Sequence, residues 1–124
     1  MAAVFLVEDD RSLRQLLSEA LADEGHEVVV LDDIEQISEH ARTRRGVAVV
    51  DGWGTSHLEL APAERQSLRA LAASVPTILL SGRAWVEHVD ADELGVVAVL
   101  TKPADLAALL ELVTRTGQRE PLAD

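Results

Sequence analysis

Four apolar segments of the sequence each end at a residue type that can handle a phosphoryl group or a metal ion. The acidic run Glu8-Asp9-Asp10 follows segment 4–7, Asp51 follows 47–50, Ser81 follows 77–80, and Lys102 follows 96–101. Carboxylates are protein ligands of Mg²⁺, and ammonium and hydroxyl groups donate to phosphate oxygens. A carboxylate can also attack phosphorus and form an acyl phosphate. Together these residue types predict a site for a divalent cation and a phosphoryl group.

The segments that precede these residues are predicted β-strands, and a fifth apolar segment spans 28–31. Helical spacing of apolar residues separates the strands, because Leu13, Leu16, Leu17, Ala20 and Leu21 recur at one face of a helix. Continuous apolar strands that alternate with helices predict an α/β fold, a parallel sheet with helices on both faces. Since the carboxyl ends of parallel strands share one edge, we expect the candidate site residues to meet there.

Capping residues, prolines and glycines set the limits of five predicted helices. The first helix is capped by Asp10 or Ser12 and ends at Gly25, and the second is capped by Asp32 or Asp33 and carries Ile34, Ile37 and Ala41. The third helix begins at Pro62 and buries Leu68 and Leu71, and the fourth is short, lies between Val86 and Leu94 and ends at Gly95. The fifth helix begins at Pro103 and Asp105 and buries Leu106, Leu109, Leu110 and Val113. The fifth strand is predicted over 96–100.

The composition bounds the protein class. The chain of 124 residues predicts one domain over 1–116 and a loose tail over 117–124. A formal net charge of -11 disfavours binding to nucleic acid and to anionic membranes. The absence of cysteine excludes disulfides and thiolate metal sites. No signal peptide or membrane span is recognised, so we expect a soluble cytoplasmic domain.

The sequence resembles the CheY-like receiver domain of two-component response regulators. The resemblance lies in the order and spacing of four features: the acidic run that begins at Glu8, then Asp51, Ser81 and Lys102-Pro103. The resemblance covers nearly the whole chain. It implies a flavodoxin-like, doubly wound sheet of five parallel strands in the order 2-1-3-4-5. It also implies a phosphoacceptor that receives a phosphoryl group from a histidine kinase or phosphotransfer protein. Such a domain is a signalling domain that assists its own phosphorylation and dephosphorylation and is not otherwise an enzyme.

The resemblance assigns a role to each site residue. Asp51 is the phosphoacceptor, while Lys102 and Ser81 bind phosphoryl oxygens. Mg²⁺ is held by Asp9 and Asp51, by Glu8 directly or through water, and by the backbone carbonyl of Trp53. Output passes to a downstream protein through the face built from the fourth helix, fifth strand and fifth helix, and a homodimer remains open.

The sequence departs from the receiver pattern around the site. Loop 52–57 lacks the usual proline, segment 81–102 is slightly short, and Val99 replaces the aromatic residue usual three positions before the lysine. Trp53 and Arg83 lie two residues beyond Asp51 and Ser81, and a cation over an aromatic face is a favourable contact. We hypothesise that this pair shields an aspartyl phosphate from water.

Two other functions stay open. Each site residue has an ordinary interpretation by itself: Asp10 as a helix cap, Asp51 as a turn former and Lys102 as a surface lysine. A degenerate receiver would use the fold as a constitutive interaction or dimerisation module. An aspartyl-nucleophile phosphatase of the haloacid-dehalogenase type would instead use Asp51 for turnover, although Trp53 stands where its second acid belongs.

Overall fold

The structure, a computed structural model, describes residues 3–51, 61–81, 90–101 and 106–117. Strands alternate with helices throughout these residues. The strands are β1 (Ala3–Val7), β2 (Glu27–Leu31), β3 (Gly46–Asp51), β4 (Thr77–Ser81) and β5 (Ala98–Thr101). The helices are α1 (Arg11–Asp23), α2 (Ile34–Ala41), α3 (Pro62–Ser74), α4 (Ala91–Leu94) and α5 (Leu106–Gly117).

The five strands form one parallel sheet in the order β2-β1-β3-β4-β5. Val7 of β1 pairs in register with Leu31 of β2 on one side and with Val50 of β3 on the other. The predicted α/β class and the strand order implied by the resemblance are therefore confirmed. The central strands β1, β3 and β4 are almost fully buried, as expected when helices cover both faces.

Side chains from alternate strand positions enter two separate cores, one on each face of the sheet. In the first core, Phe5, Val50 and Leu79 pack beneath α2, α3 and α4. In the second core, on the opposite face, Leu6 and Val49 pack with α1 and α5. Because successive side chains of a strand point to opposite faces, every residue of a central strand meets a helix layer. This two-sided packing holds the sheet edge, where the candidate residues lie, in a fixed register.

The acidic residues before α1 and α2 cap those helices. Asp10 Oδ1 accepts from the Leu13 N–H at 3.1 Å, and Asp33 Oδ1 accepts from the Gln36 N–H at 2.9 Å. Of the alternatives that the sequence leaves open, Asp10 and Asp33 are therefore the caps. The prediction that α3 begins at Pro62 is confirmed.

The predicted start of the fifth strand was wrong by two residues, because β5 begins at Ala98 and not at Val96. Gly95, just past α4, has a φ of 74° and donates to the Asp92 carbonyl, while the Val96 N–H donates to the Ala91 carbonyl at 3.1 Å. This paired closure is a Schellman motif. Val96 is buried, but its N–H ends the helix and is not available to open the strand.

The predicted apolar stripe of α1 was also too wide. Leu17 and Leu21 are buried, whereas Leu16 is 51% exposed. Adjacent helical residues differ by about 100° around the axis, so Leu16 lies on the flank of the face that Leu17 buries. The stripe predicted for α5 is confirmed, since all four of its residues join the second core.

Several predicted limits lie outside the described residues. They are the start of the fourth helix near Val86, the start of the fifth at Pro103 and Asp105, and the tail beyond Gly117, the residue at which α5 ends. None of the helices in the described part of the chain combines the length and apolarity that crossing a membrane requires.

Gly46 is the first residue of β3 and lies against β1, where it pairs with Ala3. A Cβ at this position would be 2.6 Å from the Ala3 carbonyl oxygen and 2.6 Å from Phe5 Cε2. Phe5 is fully buried and cannot move away without disturbing the first core. The backbone conformation of Gly46 is one that other residues can adopt, so the close approach of β1 is what requires glycine at this position.

We predict that Gly46→Ala lowers the free energy of unfolding by about 1–3 kcal/mol, because the added methyl group overpacks the β1–β3 contact. Urea unfolding followed by circular dichroism measures this change. Ser12→Ala, an exposed substitution in the first turn of α1, is the control and should change stability by less than about 0.5 kcal/mol. Equal stability of Gly46→Ala and wild type would contradict the packing described here.

Candidate functional site

The strands bring the candidate residues to one edge of the sheet. Asp51 and Ser81 are the last residues of β3 and β4, and Glu8 directly follows β1. Val7 pairs with Val50, so Glu8 and Asp51 occupy the next positions on neighbouring strands, which lie about 4.8 Å apart. Asp51 pairs with Leu80, one residue before Ser81. The expectation that these strand ends share an edge is confirmed.

Three polar residues at this edge are buried. Glu8 is 2% exposed, Asp51 is 3% exposed and Ser81 is 0% exposed. Buried carboxylates are costly unless charge or hydrogen bonds compensate them, and turn formers are ordinarily solvated. Asp51 and Ser81 are strand residues rather than the loop residues beyond the strands. Their burial therefore favours a binding site over the ordinary interpretation as turn residues.

The acidic run at the end of β1 divides between two environments. Glu8 is buried, and its Oε1 accepts from the Asp10 N–H at 2.9 Å. Asp9 is exposed, and Asp10 is committed to capping α1. The cap begins α1 directly beside the edge. Asp10 is thus a structural residue, as its ordinary interpretation predicts, while Glu8 and Asp9 form the acidic side of the edge.

The donor set at the edge is the kind that Mg²⁺ prefers. Glu8, Asp9 and Asp51 offer carboxylate oxygens, and hard oxygen ligands suit this ion. Across residues 3–51, 61–81, 90–101 and 106–117, no group of three or more His, Asp or Glu side chains is arranged to hold a metal. Mg²⁺ needs one or two protein carboxylates, since waters and phosphate oxygens fill its other positions. The residues present fit that requirement.

The remaining predicted site residues divide between described and undescribed parts of the chain. Trp53, Arg83 and Lys102 lie outside the described residues. Val99 is described: it is half-buried on β5 and packs against the core beneath α2, α3 and α4. Thr101, which the sequence analysis did not single out, pairs in register with Ser81 and directly precedes Lys102 in the sequence.

Two relatives are nearly a third identical to this chain over the aligned region. A response regulator receiver protein from Pseudomonas putida is 32% identical, with a TM-score of 0.68, over 92% of this chain and 96% of that one. The response regulator protein FleR of Pseudomonas aeruginosa is 32% identical in an alignment of 120 residues that covers 92% of this chain and 24% of FleR. This chain belongs to the response regulator receiver family.

The fold agrees with that membership. The receiver domain of the Francisella response regulator 1452 superposes with a TM-score of 0.75, over 96% of this chain and 98% of that one, at 22% identity. At that identity the likeness shows the CheY-like fold alone. No family profile matches the chain. The receiver spans about a quarter of the length of FleR, and receiver domains are signalling domains of two-component systems.

The carboxylates of Glu8 and Asp51 are buried at neighbouring positions, where two like charges repel each other. We predict that Asp51→Asn raises the free energy of unfolding in chelator by about 1–3 kcal/mol, because the amide keeps the size of the side chain and removes this repulsion. Urea unfolding in EDTA measures the difference. Asp9→Asn, at an exposed position, should shift stability by less than about 0.5 kcal/mol. A less stable Asp51→Asn chain would show that Asp51 has a structural role.

Proposed function

We propose that this receiver is a phosphoacceptor that takes a phosphoryl group on Asp51 from a histidine kinase or a phosphotransfer protein. The observation that carries the proposal is the burial of Asp51 and Glu8 side by side at the carboxyl edge of the sheet. A buried nucleophilic carboxylate with a second acid beside it suits metal-assisted phosphoryl transfer, in which positioning and electrostatics dominate. The exposed Asp9 completes the acidic side of the site.

In the proposed reaction, a carboxylate oxygen of Asp51 attacks the phosphorus of a phosphohistidine. The new O–P bond forms as the N–P bond breaks, and the leaving imidazole takes up a proton. A Mg²⁺ held by Asp9 and Asp51, by Glu8 directly or through water, and by the Trp53 carbonyl would supply positive charge against the phosphoryl oxygens. Lys102 and Ser81 would each donate to one phosphoryl oxygen.

We infer that the partners are proteins. Leu16, 51% exposed on α1, offers a donor protein an apolar contact on the helix that begins at the acidic edge. Output would pass through the face of α4, β5 and α5, and cytoplasmic location would follow from such partners. The net charge of -11 argues against nucleic acid and anionic membranes as partners of this domain.

One specific observation favours a second function, the degenerate receiver. Val99 stands three residues before Lys102, where receivers usually have an aromatic residue, and it packs against the core beneath α2, α3 and α4. Valine has no ring that could reorient when Asp51 is phosphorylated. A receiver that lacks this device could act as a constitutive interaction module. Phosphorylation chemistry separates the two functions, because only the phosphoacceptor needs Asp51 as a nucleophile.

We predict that incubation with acetyl phosphate and Mg²⁺ adds the mass of one phosphoryl group to the intact protein. The gain should disappear in EDTA and in Asp51→Asn, because the metal and the nucleophile are then missing. Intact-protein mass spectrometry measures it. Asp23→Asn, which changes an exposed acid at the far end of α1, the helix that begins beside the acidic edge, is the matched control and should be phosphorylated like wild type.

A mass gain that survives Asp51→Asn would place the phosphoryl group elsewhere. No gain in wild type would favour the degenerate module. Release of inorganic phosphate over many turnovers from a simple phosphate ester would instead favour the phosphatase.

The proposed shield makes a separate prediction. If Trp53 stacks with Arg83 over the phosphoryl group, Trp53→Ala should shorten the lifetime of the aspartyl phosphate several-fold, since water then reaches phosphorus more easily. Decay of the phosphorylated mass after removal of the donor measures the lifetime. Trp85→Ala, which removes the other tryptophan, is the matched control and should leave the lifetime unchanged. Equal lifetimes for wild type and Trp53→Ala would rule out the shield.

A further inference from the structure

Asp10 joins helix α1 to the acidic edge of the sheet. Its side-chain Oδ1 accepts from the Leu13 N–H at 3.1 Å, and its carbonyl oxygen accepts from the Arg14 N–H at 2.8 Å. Its own N–H donates in the other direction, to Glu8 Oε1 at 2.9 Å. One exposed residue therefore shares hydrogen bonds with the first turn of a helix and with a buried carboxylate of the candidate site.

The packing of α1 holds Asp10 in place. Leu17 and Leu21 of this helix are buried in the second core, so the helix has a fixed position against the sheet. The Glu8 carboxylate needs such a support, because the like charge of Asp51 at the neighbouring position repels it. A hydrogen bond from a backbone N–H to a carboxylate is a strong one, and a donor that the helix holds opposes this repulsion.

We propose that Asp10 is a positioning residue for Mg²⁺, which acts through Glu8 and is not itself a ligand. The inference rests on the proposed function, in which Glu8 holds the ion directly or through water. By capping α1, the Asp10 side chain fixes its own backbone, and the fixed N–H keeps the Glu8 carboxylate in one orientation. Removing the partner that orients a metal ligand typically lowers metal affinity by about 10- to 100-fold.

Substitutions that separate the cap from the charge test this role on the full chain. Asp10→Asn and Asp10→Ala both remove the negative charge, but asparagine caps a helix as well as aspartate does and alanine caps it poorly. Asp10→Ala should raise the Kd for Mg²⁺ about tenfold, whereas Asp10→Asn should raise it less than about threefold. Tryptophan fluorescence during titration with MgCl₂ at constant ionic strength measures the Kd.

A double-mutant cycle shows whether Asp10 acts through Glu8. In a Glu8→Gln background, Asp10→Ala should change the Kd for Mg²⁺ less than about twofold, because the carboxylate that Asp10 orients is already missing. Losses of affinity that multiply in the double variant would show that Asp10 acts on the ion independently of Glu8, and would overturn the proposal.

Gly46→Ala is the control for loss of stability alone, because Gly46 begins β3, about 17 Å from Asp51 at the other end of the strand. It should bind Mg²⁺ like wild type, and circular dichroism should show that all variants are folded. An Asp10→Asn chain weakened as much as Asp10→Ala would make charge or direct ligation the cause and overturn the proposal.

Two further results would overturn the positioning role while leaving the proposed function intact. One is an Asp10→Ala chain that binds Mg²⁺ as tightly as wild type, and the other is a Gly46→Ala chain weakened as much as Asp10→Ala. A wild type that binds no Mg²⁺ would overturn the proposed function and this inference with it.

Discussion

Two acidic side chains buried at neighbouring positions of one sheet edge are the constraint on which the rest of this structure depends. Glu8 and Asp51 have almost no exposed surface, although ionised carboxylates are strongly hydrated in solution. Only strands held firmly from both sides can keep them there. β1 and β3 meet this need, since each pairs with a strand on both sides and is covered by helices on both faces. The fold supplies the rigidity that the site requires.

The strand order determines where this pair of carboxylates lies. From β1 the chain continues through α1 to β2 on one side, whereas from β3 it continues through α3 to β4 on the other side, so the connections that follow β1 and β3 leave the edge in opposite directions. Open α/β sheets bind their ligands at such a switch point, where the diverging loops leave a crevice. Glu8 and Asp51 are the residues that border it. The position of the candidate site thus follows from topology as well as from residue type.

Much of the fold could be predicted because its signals are local and repeated. Strand runs, helix caps such as Asp10 and Asp33, and prolines such as Pro62 each specify a boundary from neighbouring residues. Other features depend on particular contacts that these signals do not encode. Gly46 is required by the approach of Phe5, and β5 starts late because the Val96 N–H closes α4. Leu16 is exposed because it lies on the flank of the helix face that Leu17 buries.

The sequence predicts the site as a set of residue types, and the structure shows that these residues differ in burial. Sequence spacing alone treats Glu8, Asp9 and Asp10 alike, yet one is buried, one is exposed and one caps a helix. Register, which no local pattern encodes, sets Glu8 beside Asp51.

Tryptophan fluorescence during addition of Mg²⁺ and then beryllofluoride, which with a carboxylate stands in for the acyl phosphate, tests the buried acidic pair most directly. Trp53, two residues after Asp51, is the reporter, and Trp85→Phe removes the other tryptophan. The account predicts a saturable change with each addition in this background and none from beryllofluoride once Asp51→Asn is added. An equal response with and without the Asp51 carboxylate, or no response at all, would contradict it.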